Sequence, residues 1–146
     1  MATAQTSVGI AVTDNANAAL GTYTGSPGIS GGTSFVSTQI TTGIYQGTAT
    51  ITSPTTFVTN NASLKNAYGN TLTYTTIQSV VVSNLSASAS LVVGGGSNPL
   101  FGSDSYTIKP GQVLVIPNVP ITVSSTVNAI TLTPSASLTY QIIIVG

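Results

Sequence analysis

Short apolar runs, broken at close intervals by Gly, Pro, Asn and Ser, set the pattern of this chain. Val8, Ile10 and Val12 alternate with Ser7, Gly9 and Ala11, as in a strand with one apolar face. Asp14-Asn15 ends that strand with turn chemistry. Ala16–Leu20 has the length of one helical turn, too short to stand alone. Gly21–Gly32, GTYTGSPGISGG, holds five Gly and one Pro and reads as loop. It is either a long surface loop or an extended arm that orders only against a neighbouring subunit. Ser34–Thr41 and Thr48–Thr52 read as strands joined through Gly43 and Gly47. Pro54 interrupts and Thr55–Thr59 resumes, with the Pro marking an edge or a bend. Asn60–Asn70 is turn-rich, with room for a helical turn around Leu64–Tyr68.

From Thr71 the apolar content rises. Leu72–Leu85 reads as one long strand or two collinear ones, and Ser90–Val93 as the next. Gly94-Gly95-Gly96 and the loop Ser97–Asp104 follow. The densest stretch is Ser105–Ser124, SYTIKPGQVLVIPNVPITVS. Tyr106–Ile108 leads into Pro110-Gly111, the residues of a type II turn. Val113–Ile116 is apolar on both faces, the pattern of a buried strand, and Pro117-Asn118 turns the chain back into Val119–Val123 as a hairpin. Val127–Thr133 and Leu138–Val145 complete the series. Strands recur with turn signals between them, no segment keeps a helical period, and no fixed-period repeat points to a solenoid. The pattern predicts an all-β protein: an antiparallel, jelly-roll-like β-sandwich with an extended, Gly-rich N-terminal segment. The compact sandwich is placed at residues 70–146 and the N-terminal strands and arm at 1–69, or the whole of 1–146 forms one domain.

Charge changes the picture most. Only 3% of residues are charged, against about 25% in ordinary domains. They are Asp14, Lys65, Asp104 and Lys109, and Glu, Arg, His, Cys and Trp are absent. Ser and Thr make up roughly 30% of the chain, far above ordinary usage. Electrostatic binding to nucleic acid or anionic membrane needs several Lys or Arg, so neither partner is expected. Disulfides are excluded, and zinc, haem and iron–sulfur sites lose their usual ligands. A net charge of zero removes the repulsion that keeps free monomers apart, and neutral polar surfaces meet without desolvating ions. The N-terminus has no basic region followed by a long apolar run, and Ile142–Val145 is far too short to span a bilayer. Synthesis in the cytoplasm is the expectation.

The search for chemistry returns little. Asp14 and Asp104 would be the one carboxylate pair, but both lie in turn contexts where Asp bonds its own backbone. A nucleophilic Ser or Thr would have only Lys65 or Lys109 as base. Gly94-Gly95-Gly96 has no helix after it to make a phosphate site. Six Tyr residues admit sugar stacking, but strand Tyr more often fills a sandwich with its hydroxyl at the rim. The Asn61 and Asn84 N-x-S triplets are expected by chance in so Ser-rich a chain. No catalytic residue, cofactor or metal is expected, and the chain reads as a non-enzyme.

The C-terminal half, SVVVSNLSASASLVVGGG followed by YTIKPGQVLVIPNVPITVSSTVNAITL and LTYQIIIVG, resembles the small β-sandwich virion structural proteins of tailed bacteriophages, of the capsid cement or decoration type. The similar features are the V-x-N strand end at Asn84, the Pro110-Gly111-Gln112 turn into an apolar strand, a short return strand, and a closing apolar strand that ends in Gly146. The resemblance implies a protein of the capsid surface that binds the major capsid protein across neighbouring subunits, and a homo-oligomer, a trimer by analogy. A tail, fibre or host-recognition module and a carbohydrate-binding surface module are the alternatives. The interaction surface is sought in the loops: Tyr23, Pro27 and Ile29 in segment 21–32, Leu64 and Tyr68 in 60–70, and Pro99, Leu100 and Phe101 in 94–104.

Overall fold

A computed structural model describes residues 42–116 and 120–146. The expected strands at Val8–Val12 and Ser34–Thr41, the segment Gly21–Gly32 and the turn at Pro117-Asn118 lie outside the described residues. The strands are β1 (Ile44–Ile51), β2 (Thr55–Val58), β3 (Leu64–Lys65), β4 (Thr71–Leu72), β5 (Thr76–Ile77), β6 (Ser79–Asn84), β7 (Leu91–Gly94), β8 (Ser105–Ile108), β9 (Val113–Ile116), β10 (Ile121–Thr122), β11 (Ala129–Pro134) and β12 (Leu138–Val145).

Two four-stranded antiparallel sheets face each other in a β-sandwich arrangement. The first has the order β1-β12-β6-β9 and the second β2-β11-β7-β8. Two short pairs, β3-β4 and β5-β10, supplement them. Whether Thr33–Thr59 pairs with the C-terminal strands was open in the sequence. For its described part the structure answers it: all of β1 lies along β12, from Ile44 opposite Val145 to Ile51 opposite Leu138, and β2 lies along β11.

The alternation that marks strands in the sequence also builds the core. Leu138, Tyr140, Ile142 and Ile144 of β12 and Val80 and Val82 of β6 face Phe57, Leu91, Val93, Ile130 and Leu132 of the second sheet in one hydrophobic cluster. Each such side chain, fully buried, contributes about 1.5–3 kcal/mol of transfer free energy. Phe57 joins the layers, its ring 5.9 Å from that of Tyr45 and 6.0 Å from that of Tyr140, edge-on to the latter. Leu64 of β3 stands opposite Leu72 of β4, and both side chains are buried in the same cluster.

Several expectations need correction. Gly47 does not break a strand but lies inside β1 opposite Ile142, and the Tyr45 hydroxyl takes the space beside it, 2.5 Å from where a Cβ would be. Leu64–Tyr68 forms no helical turn. It enters a hairpin whose tip is closed by Asn66, whose Oδ1 accepts the N–H groups of Tyr68 and Asn70. Leu72–Leu85 is not one strand or two collinear ones but β4, β5 and β6, which belong to three different sheets. The Pro110-Gly111 turn forms as expected, with Gly111 at φ 71 and the Gln112 N–H donating to the Lys109 carbonyl at 3.1 Å. It joins the two sheets, however, and does not close a hairpin. β9 is an edge strand, with Val113 41% exposed, and it pairs with β6 while β10 pairs with β5. The expected hairpin of β9 with the following strand is therefore absent.

Two of the crossings between sheets, from β6 to β7 and from β8 to β9, meet at Asn84. Its side chain is 0% exposed. Its Nδ2 donates to the carbonyls of Ala89 (2.7 Å) and Ile108 (3.2 Å), and its Oδ1 accepts the Ser86 N–H. Its backbone N–H donates to the Gln112 carbonyl and its carbonyl accepts the Gly111 N–H. The strand end and the PG-Q turn, separate in the sequence, are one structural unit. Asn84→Ala leaves the Ala89 and Ile108 carbonyls short of a donor and should cost about 2–4 kcal/mol in urea denaturation, whereas Asn61→Ala, at an exposed Asx turn, should cost under about 1 kcal/mol.

Candidate functional site

β2 ends at Val58 opposite Ala129, where β11 begins, and β7 ends at Gly94 opposite Ser105, where β8 begins. The loops 59–63, 95–104 and 123–128 therefore leave the second sheet at one end. Neutral hydrogen bonds fuse them. The Asn128 carbonyl accepts both the N–H and the Oγ1–H of Thr59, each at 2.9 Å. The Asn98 carbonyl accepts the N–H groups of Asn128 and Ala129, and the Leu100 N–H donates to Ala129 at 2.7 Å. Asn98 itself has φ 54, a left-handed conformation that Asn tolerates. Asn128 Nδ2 donates to the carbonyls of Ser124 and Ser125, and the Ser124 Oγ accepts the Thr126 and Val127 N–H groups. Asn60 Nδ2 also donates to the Ser124 carbonyl. Two of the three loop regions singled out in the sequence thus converge through Asn128 and Ala129.

Of the eight side chains expected at an interface, Tyr23, Pro27 and Ile29 lie outside the described residues. Leu64 and Leu100 are core side chains, 4% and 3% exposed, and present nothing to a partner. Pro99 is half-buried and bridges to Ala129. Phe101 is half-buried against the core, with its ring edge-on to that of Tyr106 at 6.2 Å. Tyr68 stands at the β3-β4 hairpin tip, 47% exposed. Sequence reading missed Tyr106, Leu85 and Val113, the other large exposed apolar side chains among the described residues. Tyr106 shares the core-facing parity of Val93 but sits on an edge strand, and no local signal separates an edge position from a central one.

The chemistry on offer is slight. Lys65, Asp104 and Lys109 are exposed, and Asp14 lies outside the described residues. No three His, Cys, Asp or Glu side chains come together among the described residues. Gly94, Gly95 and Gly96 all have positive φ and fold back over the sheet, so that a Cβ on Gly96 would meet the Thr131 hydroxyl at 2.6 Å. That turn is shaped by packing. The Tyr74 hydroxyl, buried, reaches the carbonyls of Ile144 at 3.2 Å and Gly43 at 3.3 Å, tying the closing strand to the entry of β1. Burial pushes the phenols of Tyr45, Tyr74 and Tyr140 above their ordinary range.

No family model, curated protein or solved structure matches the chain.

None of the side-chain types present has an ordinary pKa between about 4 and about 10. The raised phenols hold their protons in the folded chain where the unfolded chain would release them. That contribution is complete below the unfolded value of about 10 and is lost as pH climbs toward the folded values. The melting temperature should be level from about pH 5.5 to about pH 9 and fall above about pH 10. A thermal melt series across this range checks it; a step near neutrality would contradict it.

Proposed function

We propose that the chain is a non-enzymatic virion structural protein of the tailed-phage type: a capsid cement or decoration protein that binds across neighbouring major capsid subunits and stabilises the shell. One observation carries the reading. A nearly uncharged sandwich gathers its loops at one end through neutral hydrogen bonds and there holds the Phe101–Tyr106 ring pair, Tyr106 exposed, while Tyr68 stands exposed at the tip of the β3-β4 hairpin. Aromatic side chains on a rigid support are the usual anchors of protein interfaces. With two Lys and two Asp in the whole chain, association with a capsid rests on apolar burial and neutral hydrogen bonds. Repetition over many copies multiplies a modest contact. The protein is made in the host cytoplasm and resides on the capsid surface, in contact with the major capsid protein and with copies of itself.

The strand order supports reading the fold more finely as a jelly roll. Among the eight strands of the two main sheets, the first pairs with the last (β1-β12), the second with the seventh (β2-β11), the third with the sixth (β6-β9) and the fourth with the fifth (β7-β8). A long antiparallel hairpin rolled into two sheets gives this nesting.

Purified protein added to undecorated capsids of the parent phage should bind saturably and raise the temperature at which the shells open. Binding should change little between low and high salt, because few charges are present to be screened. Tyr68→Ala should weaken it about tenfold with the fold intact. Labelled protein found at the tail tip in electron micrographs, or absent from the heads, rejects the cement reading; the first outcome supports a tail or fibre module instead.

A further inference from the structure

The four outer strands of the two sheets differ in how well they are guarded. β2, β8 and β9 are four residues each, and β2 follows directly on Pro54. Short strands and flanking Pro are ordinary means of discouraging edge pairing. β1 has neither. It runs for eight residues, IYQGTATI, without charge, Pro or a bulge in its register with β12. Gln46, Thr48, Ala49 and Thr50 are exposed, and among the described residues β1 has a strand neighbour on one side only.

The pairing pattern shows which backbone groups are open. Gly43 and Gly146 exchange both their N–H···O bonds. Bonded and non-bonded pairs alternate in an antiparallel ladder, so Tyr45, Gly47, Ala49 and Ile51 bond to β12. The Leu85 N–H donates to the Thr139 carbonyl and the Gln78 N–H to the Val145 carbonyl, as expected if the odd-numbered residues of β12 bond toward β6. The N–H and C=O groups of Ile44, Gln46, Thr48 and Thr50 then point away from β12, to the side where no described strand pairs with β1.

We propose that this edge pairs antiparallel with the same edge of a second copy of the chain, about a two-fold axis at Gly47, so that the first sheets of two copies become one continuous sheet. This register uses every open group: Ile44 exchanges bonds with Thr50 of the second copy, and Gln46 with Thr48 of the second copy. It also fits the side chains. Gly47 faces its own counterpart in a non-bonded pair, where the strands approach most closely, about 4.5 Å between Cα atoms. The Tyr45 ring, which bends over Gly47, faces the small Ala49 of the second copy. Large meets small along the seam, and no like charges meet, since β1 carries none. A self-complementary strand edge is an isologous interface, which closes at two copies and does not propagate. The inference specifies the self-association within the proposed function but does not depend on capsid binding, so its failure leaves that reading standing.

Sedimentation velocity of the isolated full chain tests it. The native chain should be in monomer–dimer equilibrium or fully dimeric at micromolar to hundred-micromolar concentration. Thr48→Pro removes an N–H that points away from β12. It should raise the dimer dissociation constant by about tenfold or more with the circular dichroism unchanged. Should that variant fail to fold, the pair Gln46→Lys and Thr48→Lys serves the same purpose, and Thr107→Lys on β8 is the charge control, expected to leave the dimer intact. A native chain that stays monomeric, a trimer in place of a dimer, a Thr48→Pro or double-Lys variant that dimerises like the native chain, or loss of the dimer in Thr107→Lys would each overturn the proposal.

Discussion

One buried amide holds the two halves of the sandwich in register. The chain leaves the first sheet after β6, enters the second at β7, and returns from β8 to β9 through the Pro110-Gly111 turn. Asn84 sits where these two crossings pass and bonds to both: to Ser86 and Ala89 on the outward path, and to Ile108, Gly111 and Gln112 on the return. Burying an amide without partners costs several kcal/mol, and here the bonds that offset this cost fix the geometry of the corner. An apolar residue of the same size would fill the space but leave the Ala89 and Ile108 carbonyls without this donor. An Asp could accept from Ser86 but would have no N–H groups to give.

The opposite end works by the same chemistry. Asn128 and Thr59 join the loops with neutral donors and acceptors, as Asn84 does at the corner. No buried side-chain N or O atom among the described residues lacks a partner. Low charge is thus not a deficit that the fold works around. Amides and hydroxyls hold the loops without the desolvation penalty that buried ions carry. The consequence reaches the surface, where Thr50 pairs with Thr139 across strands. Such a surface can lie against another protein with little electrostatic cost, and it gives up the repulsion that would keep copies apart. This is the link between composition and the proposed role.

Strand character was largely legible in the sequence, and partners were not. Leu138–Val145 reads as a strand and is one, and Pro110-Gly111 reads as a type II turn and is one, because alternation and turn chemistry act over a few residues. The assignment of Val113–Ile116 to a buried position failed because apolar content on both faces is shared by central strands and by unguarded edges. Leu64 and Leu100 looked like loop side chains because their neighbours are turn formers, yet the loops fold inward and deliver both to the core. Tyr106 followed the opposite course, carrying core parity onto an edge.

Taken alone, the sequence determined an all-β chain with its strands roughly placed, the near absence of charge, and the absence of Glu, Arg, His and Cys. These are properties of residue type and short-range order. The tertiary structure decided that β1 lies beside β12 and β9 beside β6, that the V-x-N strand end and the PG-Q turn form a single corner, and that among the described residues β1 has a strand neighbour on one side only. Those choices depend on contacts between residues far apart in the chain, where loop closure and the fit of side chains across two sheets outweigh any local preference.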